Sequence, residues 1–247
     1  MSSTAKFSIH GELASLLPPK LRAGAFDYTC ARAATLKNAI ESLGIPHTEV
    51  GSVTVNGAPA TLGRAVREGD AIEIHPWVTG TAASPEGERR FLADAHLGGL
   101  ARFLRLLGFD TSHENALADA DIRSLALDER RIVLTRDREL LKRSDVPHGC
   151  LVRTLRAEEQ LREVAVRYAL APTARPFTLC LRCNFPLDVI DRSAIEHRLP
   201  EKVRALHRNF RHCRSCDRIY WPGTHYEHMR TVLKDLLPEL PEPGPLR

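Results

Sequence analysis

FLADAHLGGLARFLRLLGFDT, residues 91–111, begins as a short apolar strand and turns into a helix. Leu97, Leu100, Leu104 and Leu107 recur at helical spacing and mark the inward face, and Gly108 stops the helix. Downstream, DIRSLALDERR (121–131) reads as a second helix and RIVLT (131–135) as a buried strand. LVRTL (151–155) follows as a further strand and AEEQLREVAVRYAL (157–170) as an amphipathic helix. Strands alternating with helices predict a three-layer α/β domain over 91–170, with a parallel sheet between helices.

Working outward, residues 1–78 carry a different pattern. FSIHGELASLL (7–17) opens with the alternation of a half-buried strand, and the stretch up to Cys30 has no clear period. TLKNAIESLGI (35–45) places Leu36, Ile40 and Leu43 on one helix face, with Gly44 just past its end. VGSVTVNGAPA (50–60) is a strand folded back at Asn56-Gly57, and Glu68-Gly69-Asp70 turns the chain into the strand AIEIHPW (71–77). That order predicts a ubiquitin-like β-grasp domain. TGTAASPEGERR (79–90) is small, polar and turn-rich, the composition of a linker. Residues 171–235 hold the paired cysteines, and 236–247, LLPELPEPGPLR, reads as a disordered tail.

The cysteines are the sharpest signal. Cys180-Leu-Arg-Cys183 and Cys213-Arg-Ser-Cys216 flank twenty-nine residues. Two thiolates two residues apart can face one metal from a single knuckle, and two knuckles supply the four sulfurs of a structural Zn²⁺ site. Asn184 and Asp217 follow the knuckles and suit tight turns; the long gap implies an inserted helix or loop. A redox pair is the competing reading of one C-x-x-C, but two pairs bracketing a short segment favour zinc. Cys30 and Cys150 read as buried apolar side chains.

With 43% hydrophobic and 27% charged residues, 247 positions suffice for packed cores. No run reaches the roughly 18–20 apolar residues of a membrane helix, and the first twenty lack the order of a secretory signal. The expectation is a cytoplasmic protein with no membrane partner. Net charge is only +4, yet arginine crowds residues 81–170, which fits contact with phosphates or simply a solvated arginine-rich surface.

Asp94 and Asp137 both stand where a predicted strand ends, and Asp119 and Asp121 open the helix between them. Ligands of open parallel sheets bind at the carboxyl ends of strands. Carboxylates gathered there select Mg²⁺ or Mn²⁺, and such a cation can activate water against a phosphodiester. Aspartate in these positions is also what caps helices, and each residue taken alone has that reading.

These stretches, together with DADIRSLALDERRIVLTRDRELL (119–141) and CRSCDRIYWPGTHYEHM (213–229), resemble a PIN-like ribonuclease family. It is the domain named for the C-terminal region of the mutator-seven exonuclease, and the resemblance covers roughly 89–232. Bacterial members are similar in carrying an N-terminal ubiquitin-like domain. The resemblance implies a divalent-metal ribonuclease with Asp94, Asp119 and Asp137 as the acidic cluster and Glu139 as an accessory. Asp119 is preferred over Asp121 because it keeps the D-x-x-I-x-x-x-A spacing. Arg102, Arg105 and Arg136 are implied as holders of RNA phosphates. The N-terminal unit resembles sulfur-carrier β-grasp proteins, but Gly80 stands alone where those end in Gly-Gly, so it is read as a module for a protein partner. The competing expectation is a non-catalytic RNA-binding adaptor that uses the ribbon and an arginine-rich face.

Overall fold

The computed structural model describes residues 2–85, 87, 89–113 and 118–240, without the side chains of Asp119, Ala120 and His225. The first elements are β1 (Ser3–Ile9), β2 (Phe26–Cys30), α1 (Leu36–Ser42), β3 (Val50–Val55), β4 (Ala58–Ala60) and β5 (Ala71–Pro76). Next come β6 (Phe91–Ala93), α2 (Gly98–Leu106), β7 (Thr111–His113), α3 (Asp119–Arg123), β8 (Ile132–Thr135), α4 (Arg138–Lys142), β9 (Gly149–Leu151) and α5 (Ala157–Tyr168). The last are β10 (Asp188–Ile190), α6 (Arg192–Ile195), α7 (Glu201–Leu206), β11 (Phe210–His212), β12 (Ile219–Tyr220) and α8 (Thr224–Leu236). The chain packs as two compact units, Met1–Glu88 with Leu117–Arg153, and Arg89–Ala116 with Thr154–Arg247.

In the first unit the order β2-β1-β5-β3-β4 sets β1 parallel to β5 and every other pair antiparallel, a ubiquitin-like sheet. Phe7, Leu36, Ile40, Ile72 and Ile74 fill its core. Thr35 starts α1 with a capping box to Asn38, and Asn56 and Gly57 turn β3 into β4 at φ +53° and +79°, as a two-residue hairpin demands. The stretch without a clear period contains β2, whose residues alternate between half-buried and exposed apart from Cys30. The same unit holds β8, α4 and β9, with β8 and β9 parallel. Glu49, 1% exposed, accepts a hydrogen bond from the Leu151 amide at 2.9 Å and faces Arg153 at 3.3 Å. Arg138 donates to the Leu16 carbonyl.

In the second unit β6 and β7 are parallel, joined through α2. All four inward leucines of the helix reading, Leu97, Leu100, Leu104 and Leu107, are buried, and Phe91 meets Phe109 and Tyr168 edge-on at 6.0 Å. A Cβ on Gly99 would lie 2.8 Å from Ala157 on α5, and one on Gly108 would lie 2.2 Å from the Arg175 carbonyl. Gly108 also has φ +86°, so both contact and conformation require glycine there. Strands β10, β11 and β12 form an antiparallel sheet, and the inserted segment supplies α6 and α7. The architecture is thus α/β: a ubiquitin-like sheet, parallel strands joined through helices, and a C-terminal antiparallel sheet beside the cysteines.

Between Pro76 and Phe91 the described residues form no helix or strand. Of the expected tail, 241–247 lie outside the described residues, and Leu237 is buried. Among the described residues no helix is long and apolar enough to cross a membrane.

Candidate functional site

The two knuckles are built alike. After Cys180 the Asn184 amide donates back to its carbonyl and the Cys180 amide donates to Phe185; after Cys213 the Asp217 amide and Arg218 carbonyl repeat the pattern. Each loop closes through a left-handed residue, Asn184 at φ +63° and Asp217 at φ +58°, both types that tolerate that region. The four sulfur atoms lie within 4.8 Å of one another, with Cys180 to Cys216 at 3.5 Å and Cys183 to Cys213 at 3.4 Å. A tetrahedron with metal–sulfur arms of about 2.3 Å has edges of about 3.8 Å, so the cluster fits zinc and is too wide for a disulfide.

Electrostatics argue the same way. Burial opposes the Cys180 thiolate, yet the Tyr220 hydroxyl at 3.1 Å and the amides of Cys183 and Arg182 bring its pKa down to about 6. Burial lifts Cys213 to about 12. Holding all four sulfurs as thiolates at neutral pH takes a cation among them, the chemistry that structural zinc supplies.

The first knuckle is fixed to the α/β part of its unit by two side chains. Arg105 is buried and donates to the carbonyls of Thr111, Leu181 and Arg182. Asn184 accepts from the Thr111 amide and donates to Asp110. Of the arginines implied as phosphate ligands, Arg105 therefore binds backbone from inside, whereas Arg102 and Arg136 are exposed.

Each described aspartate of the acidic set caps a turn. Asp94 directly follows β6 and accepts from the His96 amide at 2.9 Å. Asp137, two residues beyond β8, accepts from the Glu139 amide at 2.8 Å. Asp121 accepts from the Ala118 amide, and the side chain of Asp119 lies outside the described residues. Asp94 belongs to the second unit, and Asp119 and Asp137 to the first.

The sequence reading missed a groove of about 870 Å³ in the second unit, between α2, the first knuckle, β12 and α8. Arg182, Arg211, Arg218, Tyr220 and Trp221 line it together with Arg102. Arg182 and Arg218 lie inside or just after the knuckles, and Tyr220-Trp221 is an aromatic pair four residues past Cys216. That proximity was the available signal.

Two solved structures match: small archaeal modifier protein 1 of H. volcanii, at 20% identity and TM-score 0.26 over 31% of this chain and 99% of that one, and SAMP1 from Haloferax volcanii, at 20% and 0.25 over 31% and 97%. No curated protein matches. Residues 2–81 match the Mut7-C ubiquitin family. Residues 89–233 match the Mut7-C RNAse domain, more than half of the chain and a span that holds Asp94, Asp137 and all four clustered cysteines, so the chain belongs to the Mut7-C RNAse domain family.

Proposed function

We propose that the protein is a divalent-metal ribonuclease whose cation is held by Asp94, Asp119 and Asp137. The supporting observation is that Asp94 and Asp137, within the span matched to the RNAse family, each stand at the carboxyl end of a parallel strand. The donor set fits: carboxylate oxygen is the hard ligand that Mg²⁺ and Mn²⁺ select. A capping bond uses one of the roughly four lone-pair sites of a carboxylate, so capping and cation binding are compatible. When bound, the cation supplies charge neutralisation at the phosphodiester and lowers the pKa of an attacking water.

The chain's own residues do the rest. Asp94 and Asp137 are each oriented by one capping bond, from the His96 and Glu139 amides. Arg102 and Arg136 hold phosphate oxygens, and Arg105 positions the knuckle from behind. The ubiquitin-like sheet recruits a protein partner.

Labelled RNA incubated with and without Mn²⁺ tests this, beside Asp94→Asn and Asp137→Asn. Cleavage that needs the cation and falls at least a hundredfold in either variant is expected. Wild-type cleavage by Asp94→Asn sinks the hydrolytic reading. The capping bonds of both aspartates favour a second reading, an RNA-binding adaptor, for which the wild-type protein binds RNA and leaves it intact with either metal.

A further inference from the structure

The groove of the second unit has a one-sided charge. Among the described residues five guanidinium groups line it and no carboxylate does. Arg105 and Arg211 are turned partly to backbone, with Arg211 3.4 Å from the Leu187 carbonyl. Arg102, Arg182 and Arg218 are exposed, and among the described residues none is held in an ion pair. Three unpaired guanidinium groups around one concavity attract an anion with several charges.

Its walls are otherwise aromatic and apolar. Tyr220 and Trp221 are half-buried, and Phe177 packs at 4.1 Å from Tyr226 on α8. Gly223 keeps the Trp221 ring in place, because a Cβ there would lie 2.8 Å from the indole nitrogen. A compact inorganic anion has no use for such walls. A polymer with one phosphate and one flat ring per repeat uses both. Bases paired in a duplex hide their faces from one another, and only unpaired ones can stack on protein rings. The groove also continues into Gly98 and Gly99, at the start of α2, one short turn after Asp94.

We infer that this groove is the binding site for a single-stranded RNA segment, with phosphates on Arg102, Arg182 and Arg218 and bases against Tyr220 and Trp221. This rests on the ribonuclease reading for the identity of the polymer; the affinity of the groove does not depend on cleavage. Readout is tolerant of base identity, since stacking uses ring faces that every base has. Zinc acts on the strand indirectly: the Tyr220 hydroxyl lies 3.1 Å from the Cys180 sulfur, so the cluster supports one wall.

The test is fluorescence anisotropy on the full zinc-loaded chain with a short labelled RNA, single-stranded or annealed to its complement, without added Mg²⁺ or Mn²⁺. The single strand is expected to bind at least tenfold more tightly. Trp221→Ala should weaken it about tenfold with the salt dependence kept. Arg182→Glu should weaken it and reduce the slope of log K against log salt by about 0.7 per lost contact. Trp221 packs near Ile195, Leu199 and Phe210, so zinc content is measured for each variant. Arg182, an exposed side chain, provides the readout if Trp221→Ala fails to fold. Equal affinity for duplex, or Arg182→Glu binding at the wild-type level, overturns the inference. Cleavage that persists beside unchanged Arg182→Glu binding sinks the groove alone. Groove-dependent binding with no cleavage by the wild type sinks the ribonuclease reading alone.

Discussion

Glu49 places one carboxylate oxygen 2.9 Å from the Leu151 amide, 102 positions further along the chain. The other oxygen faces Arg153, which also reaches Glu12 at 3.0 Å. A buried carboxylate with a backbone donor and a guanidinium is satisfied, and truncating it takes the acceptor from the buried Leu151 amide. Glu49→Ala should cost about 1.5–3 kcal/mol, the range for hydrogen bonds to a charged group. Urea unfolding measures it, and an unchanged midpoint would mean that the bond contributes nothing net.

Cleavage of the polar stretch 79–90 has a related outcome. Limited proteolysis should cut there first, since no helix or strand protects it among the described residues. Because Met1–Glu88 packs into one unit with Leu117–Arg153, the nicked protein should run as a single species on gel filtration. Dissociation of the N-terminal fragment under native conditions would show that the Glu49 and Arg138 contacts are too weak to hold it.

Zinc removal should act on the second unit. Structural zinc contributes on the order of 10 kcal/mol, more than the small clusters around Leu187 and around Phe210 can replace. A Cys180→Ser/Cys213→Ser double variant should lose its zinc and become protease-sensitive across 171–235. The ubiquitin-like sheet should keep its hydrogen-exchange protection. Full zinc content with unchanged protease resistance in that variant would refute the assignment.

Acid should find a specific weak point at Asp70. The Arg64 guanidinium, at 2.7 and 3.1 Å, holds the Asp70 carboxyl below its ordinary value of 3.8, helped by the Arg67 amide and Asn56. A carboxyl with a lowered folded pKa stabilises fully above its unfolded value and loses that contribution as pH falls through the folded one. Stability of the first unit should thus fall as pH drops below about 4. Asp70→Asn should be less stable at pH 7 and show a flatter acid limb; the same acid limb in both proteins would exclude Asp70 as the group responsible.

How much could be read without coordinates depended on whether the determining partner was local. Asn184 and Asp217 announced their left-handed turns, and so did Gly44 and Gly108, because φ is a property of one residue. The inward leucines of α2 followed from period alone. Arg105 sits among them on the same helix and reads as surface, since two of its acceptors come from a distant knuckle. Strand β2 was obscured because only Cys30 is buried along it. The groove escaped for the same reason as Arg105: its residues are drawn from α2, both knuckles and α8, and no window of sequence contains them together.

Arg105 and Thr111 also impose an order in time. Their partners Leu181, Arg182 and Asn184 lie 73 to 77 positions later. A chain growing from its N-terminus therefore completes α2 and β7, with the Thr111 carbonyl as a local acceptor, well before the knuckle carbonyls of Leu181 and Arg182 exist. The intervening stretch Leu117–Arg153 meanwhile belongs to the other unit, whose pieces are all present by Arg153. The first unit can finish during synthesis, whereas the second must wait with a buried-to-be cation in water until both knuckles have emerged and found metal. A ribosome stalled before Cys213 would leave a nascent chain with one unit done and one open, and such a chain would be visible to proteases through its second unit alone.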